Sequence, residues 1–195
     1  MLLRLTACLS LFAITIGMPY MAHAESADDL VKAQSETLKG IVSDLVPTLT
    51  REEAAHFIAL YKNYTLYSMV KAVDADVNNA VSKCADNNKS MKDELENRFE
   101  EWEKKVGTTL KEAHANINNM AISQSYIPQS NLNTMFGLIE EIRAVNSSRF
   151  ETTPVTTPEA CEFMISKMDE TEESMGRMLK ETLSSYPNLL KATQQ

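Results

Sequence analysis

The sequence predicts an all-α fold: an elongated antiparallel bundle of about five helices, two of them long, held by one disulfide. Three observations predict it. Apolar residues recur at steps of three and four along most of the chain, and no stretch shows convincing two-residue alternation. Pro47, Pro128, Pro154, Pro158 and Pro187 fall where that periodicity starts or stops, the places where a missing N–H costs least. Cys84 and Cys161 lie at the ends of two predicted helices that an antiparallel order brings to the same pole.

Residues 1–24 read as a signal peptide and 25–195 as a single helical-bundle domain. Arg4 supplies a positive start, Leu5 to Gly17 an apolar run, and Ala22-His23-Ala24 the small residues of a cleavage site. The run is too short to span a bilayer, which needs roughly 20 apolar residues. Leu5-Thr6-Ala7-Cys8 has the letters of a lipoprotein box, but there the apolar stretch precedes the cysteine, whereas here it follows. Cys8 is expected to leave with the leader. The remaining chain should be soluble and exported, periplasmic or extracellular, with no membrane insertion after cleavage.

The whole chain carries 19 basic and 27 acidic residues, net −8. The leader removes only Arg4 from this balance, leaving an acidic domain. Such a charge repels phosphate backbones and anionic lipid surfaces, so nucleic acid is not an expected partner.

The first helix is predicted over about Ser26 to Val46, with Leu30, Leu38, Ile41 and Leu45 on one side. Thr50-Arg51-Glu52-Glu53 opens the second as a capping box, in which the Thr50 hydroxyl and the Glu53 carboxylate satisfy each other's orphan backbone N–H groups. That helix continues to about Ala85. Phe57, Leu60, Tyr61 and Tyr64 share one of its faces, while Leu66, Val70, Val73, Val77 and Cys84 lie nearly opposite. Its halves therefore face different neighbours, with the first helix expected over the aromatic half.

Ser90 is read as the cap of a third helix with the most regular stripe in the chain, from Met91 through Leu95, Phe99, Trp102, Val106, Leu110, Ala113 and Ile117 to Met120. A fourth covers about Ser130 to Ser148, with Leu132, Met135, Phe136, Ile139 and Ile142 inward. The fifth starts at Thr157 with Pro158 in its first turn and runs to about Ser185. Gly40, Gly107, Gly137 and Gly176 all fall inside helices, so either helices approach closely at those positions, the favoured reading, or those helices bend.

Cys84 and Cys161 are the candidate disulfide, since an even count in an exported chain favours pairing. The third helix spans roughly 51 Å and the fourth climbs back only about 28 Å at 1.5 Å per residue. Residues 149–157, extended, reach about 30 Å and close the difference. The competing reading, a thiolate activated at a helix N-terminus, has Glu159 and Glu162 against it.

Other constellations are weighed against packing. Glu53 and His56 have Glu-x-x-His spacing, but a carboxylate-bridged metal site needs a second such pair, and Lys111 stands where that glutamate would precede His114. Met164, Met168, Met175 and Met178 share a face of the fifth helix, as a soft metal site, an adaptable binding surface or, more simply, core. Tyr61, Tyr64 and Tyr67 form a half-buried seam or a binding face. Asn63, Asn88 and Asn146 each open a glycosylation acceptor pattern, Asn88 being best placed in its turn. No phosphate-cradling glycine loop and no G-x-S-x-G occur.

Leu49-Thr50-Arg51-Glu52-Glu53 resembles the Leu-Thr-x-x-Gln signature of small periplasmic Spy/CpxP-type helical chaperones, with Glu53 in place of the glutamine. The resemblance covers these five residues and implies a chaperone-like binding role. The expectation is thus a non-enzymatic exported bundle without cofactors, a scaffold, chaperone-like protein or inhibitor that presents a tyrosine or methionine face to a protein partner or a second copy. The alternative is a bundle that binds a small ligand or a metal through Glu53, His56 or the methionines.

Overall fold

Five helices follow one another in a computed structural model that describes residues 26–148 and 156–193, with the backbone alone for 185–193. The proposed leader and residues 149–155 of the 149–157 connection lie outside the described residues. α1 (Ala27–Leu45) begins at Ser26, whose hydroxyl accepts from the Asp29 N–H at 3.2 Å. A short 3₁₀ turn, Val46–Thr48, then leads to α2 (Arg51–Asn87), which opens with the expected capping box: the Thr50 N–H donates to Glu53 Oε2 at 2.8 Å. α3 spans residues 92–123, α4 is Gln129–Ser148 and α5 is Pro158–Thr193. Among the described residues there is no strand.

Three local expectations are corrected. Ser90 does not cap α3: it lies in a 3₁₀ turn, Lys89–Met91, and the α-helix starts at Lys92 with no side-chain cap. α5 continues through Pro187 to Thr193, so Pro187 leaves the Leu183 carbonyl without its helical N–H instead of ending the helix. A Cβ built on Gly40, Gly137 or Gly176 meets nothing within 4 Å, so no helix approaches closely there.

Gly107 has a different setting. α3 is interrupted by a π-helical stretch, Glu103–Gly107, in which the Glu103 carboxylate folds over Gly107, 2.7 Å from where a Cβ would stand. A π turn takes one residue more than an α turn. Thr109 is buried just beyond it, and its hydroxyl donates to the Lys105 carbonyl at 2.8 Å.

The core runs along α2, which is flanked by α3 and α5. Leu95, Trp102, Val106, Ala113 and Ile117 fill it from α3 as the stripe predicted, while Phe57, Leu60, Val70 and Val81 meet them from α2. α2 and α5 run antiparallel, with Asn63 Nδ2 donating to the Thr182 carbonyl at 3.0 Å near one end and Cys84 bonded to Cys161 near the other. The Cα atoms of the two cysteines are 5.9 Å apart, and both residues are buried. The end of α2 and the start of α5 meet at one pole, as helix order and length predict.

α3 and α5 are tied side by side by ions. Arg98 reaches Asp169 at 2.7 Å and Glu172 at 2.9 Å, and Lys105 reaches Glu172 at 2.6 Å. Burial pushes the Glu172 carboxyl up, but the hydrogen bonds and charges of Lys105 and Arg98 outweigh it and hold the group below its usual range.

The placement of α1 departs from expectation, and it creates the site. α1 packs along α4, antiparallel to it, and among the described residues makes no extended contact with α2. The aromatic half of α2 is covered by α4 instead: the rings of Tyr64 and Phe136 stack at 3.8 Å with planes 6° apart. Periodicity had marked both faces as buried without saying which helix would cover which.

Candidate functional site

Because α1 rests on α4 and stands off α2, an open groove of about 610 Å³ remains between the three helices. That size falls within the roughly 300–1,000 Å³ of small-molecule sites. On α1, Leu38 and Val42 face inward one turn apart, while Ser35, Lys39 and Ser43, also at steps of four, form the exposed rim. Leu38 is only 7% exposed and anchors α1 on the core.

α4 contributes Ile139 and Ile142 to the floor, followed on the same face by Arg143 and Asn146. α2 supplies the opposite wall with Tyr61, Thr65 and Met69, again one helical turn apart. Met69 keeps 40% of its surface exposed. The lining is mainly apolar, and its two charged members among the described residues, Lys39 and Arg143, are both cations in a chain of net charge −8.

A polar network stiffens the groove's edge. Glu140 accepts from Ser68 Oγ at 2.7 Å and from the Tyr64 hydroxyl at 3.3 Å, and Arg143 Nη2 pairs with it from the same helix. Burial pushes Glu140 up, yet the bonds from Ser68 and Arg143 prevail and keep its carboxyl below the usual range. The same burial, with the Glu140 charge beside it, pushes the Tyr64 hydroxyl up to about 12.

Of the three tyrosines singled out in the sequence, Tyr61 reaches the groove. Tyr64 is spent on Phe136 and Glu140, and Tyr67 is buried with its ring stacked on His114 at 5.0 Å. The methionine stripe turns inward: Met168 is 2% exposed, and Met164 and Met175 pack against the same core, with Met178 half-buried. These two sets do not come together in one surface.

Glu53 and His56 serve separate purposes. Backbone and hydroxyl hydrogen bonds from Thr50 hold the Glu53 carboxyl below its usual range, as a capping residue requires. His56 is buried, 5% exposed, with Nδ1 against the Tyr126 hydroxyl. Among the described residues no group of three or more His, Cys, Asp or Glu is placed to hold a metal ion. Of the acceptor asparagines, Asn63 is 2% exposed, and the Asn88 amide is engaged with the Thr156 carbonyl at 2.9 Å and the Cys84 carbonyl at 3.1 Å.

Sequence reasoning missed Leu38, Val42, Met69, Ile139, Ile142, Arg143 and Asn146 as site residues. Leu38, Ile139 and Ile142 carried a signal, but it was the ordinary signal of core positions. What separates a groove floor from a core is whether a third helix closes over it, and that depends on where α1 docks. No family model, no curated protein and no solved structure matches this chain, so its functional reading rests on this geometry.

Proposed function

We propose that this chain is an exported, non-enzymatic binding protein whose site is the groove between α1, α2 and α4. The observation that carries this reading is the groove itself: an apolar floor on three helices, left open by α1 and rimmed with hydroxyls and cations. Ser35 and Ser43 line it without a histidine among the described lining residues, and Glu53 and Glu172, both held below their usual range, serve a helix cap and ion pairs. Export is supported by the leader-like run before Glu25 and by the Cys84–Cys161 bond, which persists in oxidising compartments.

The bound group is apolar and elongated. A partner protein engaging the same place would use the ridge of α2, where Ile58 and Met69 are each 40% exposed. The test is the binding of a neutral, polarity-sensitive dye such as Nile red to the purified protein, compared with Ser43→Trp, which puts an indole into the groove from an exposed position. One-site binding lost in the variant, at unchanged helicity, supports the reading; binding that Ser43→Trp leaves untouched refutes it.

A further inference from the structure

We propose that the groove takes a free medium-chain fatty acid as its carboxylate, with the acyl tail on the apolar floor and the head at Arg143. This rests on the groove being the binding site and adds the class of ligand. Residues 35–43 of α1 and 61–69 of α2 frame the groove, so its length is about 12 Å at 1.5 Å per residue, enough for one such tail and short for a long acyl chain. The tail would lie on Leu38, Val42, Ile139 and Ile142 and against Met69, all apolar and on the groove's wall.

Charge decides the head group. No acidic residue lines the groove among the described residues, although acids outnumber bases 27 to 19 in the chain. Arg143 is held in place by Glu140 through Nη2, and its Nε and Nη1 make no hydrogen bond among the described residues. A guanidinium fixed by one carboxylate presents its remaining N–H donors in a defined direction, the arrangement that suits a second carboxylate. Asn146, one turn on, adds an amide beside it, and Lys39 places a further cation on the α1 rim. A cationic or neutral head would forfeit these donors.

Calorimetry of the purified protein with three ligands of one tail, decanoate, decanol and decyltrimethylammonium, isolates the head. One decanoate per chain is expected, bound roughly tenfold or more tightly than decanol, with the cation weakest. Arg143→Gln and the rim variant Lys39→Glu should each weaken decanoate severalfold and leave decanol unchanged. Should Arg143→Gln lose helicity with its Glu140 partner, Lys39→Glu, on an exposed side chain, still decides the matter. Equal affinity for the three heads overturns the anionic ligand while the groove remains a binding site; no binding of any, or binding indifferent to Ser43→Trp, overturns both. Co-sedimentation with phosphatidylglycerol vesicles without saturable decanoate binding would place the anion in a lipid surface and overturn the free acid.

Discussion

Trp102 Nε1 donates to Asp74 Oδ1 at 2.8 Å, joining α3 to α2 at the point where α3 passes into its π-helical stretch. The indole is wholly buried, and a buried indole N–H needs a partner. Asp74 also takes part in a hydrogen bond with Glu103, the next residue after Trp102. Two carboxyl groups therefore share one corner of the helix pair, with a single indole donor between them.

Glu103→Gln should stabilise the fold at neutral pH. Burial first, then the charge of Asp74, pushes the Glu103 carboxyl above its ordinary value, against an opposing pull from Lys111. A raised carboxyl pKa means that the folded chain holds the proton better than the unfolded one, so stability falls as pH rises through that range. Glutamine keeps the shape, removes the charge and offers Asp74 an N–H donor, a gain of about 1 kcal/mol. Urea midpoints of the two proteins should differ at pH 7 and converge toward pH 4; a constant difference across that range would refute the account.

Gly40→Ala, Gly137→Ala and Gly176→Ala should each raise stability by about 0.5–1 kcal/mol. Each glycine is inside an α-helix, and the added methyl meets open space. The three lie on α1, α4 and α5 with no shared partners, so their effects should add in the melting temperature. Gly107→Ala is the contrast, because its Cβ would stand 2.7 Å from the Glu103 carboxylate and displace it. No gain is expected there.

Much of the helix plan was legible because its signals are local. Thr50 and Glu53 are three residues apart and cap each other whatever surrounds them, and Pro158 starts α5 for reasons contained in its own ring. Cys84 and Cys161 were legible at longer range because helix order and length bring their ends together. Tertiary choice was not legible in the same way. Leu38 and Ile139 read as core and are core, but nothing in their spacing says that α1 prefers α4 to α2 and leaves Tyr61 facing a groove. The π turn was hidden too, since the stripe through Trp102, Val106 and Leu110 keeps ordinary helical steps across it.

Mild acidification should weaken the fold through His56. Its burial disfavours the imidazolium and lowers its pKa from the ordinary 6.5. The folded chain then binds fewer protons than the unfolded one, so this contribution is complete above about 6.5 and is lost as pH falls through the lowered value. In the Glu103→Gln background, where the opposite contribution of Glu103 is absent, the urea midpoint should therefore decline between pH 7 and pH 5, above the range in which Glu140 and Glu172, both held low, begin to protonate. His56→Gln should start less stable by about 1–3 kcal/mol for the damaged contact with Tyr126 and show a flatter decline. A parallel decline in both proteins would remove His56 from the effect.

Thiol counting on the denatured, unreduced protein tests the covalent link and the leader together. With Cys84 bonded to Cys161, the full chain exposes one thiol, Cys8, and a chain beginning at Glu25 exposes none. Replacing both bonded cysteines by alanine opens a loop of sequence separation 77 and should cost on the order of 4 kcal/mol. Asn88 supports the same pole, since its amide donates to the Cys84 carbonyl on one side and the Thr156 carbonyl on the other. Asn88→Asp removes those donors and should cost about 1–3 kcal/mol even with the disulfide intact. Two free thiols in the processed chain, or an Asn88→Asp protein as stable as its parent, would show that this end of the bundle is held in some other way.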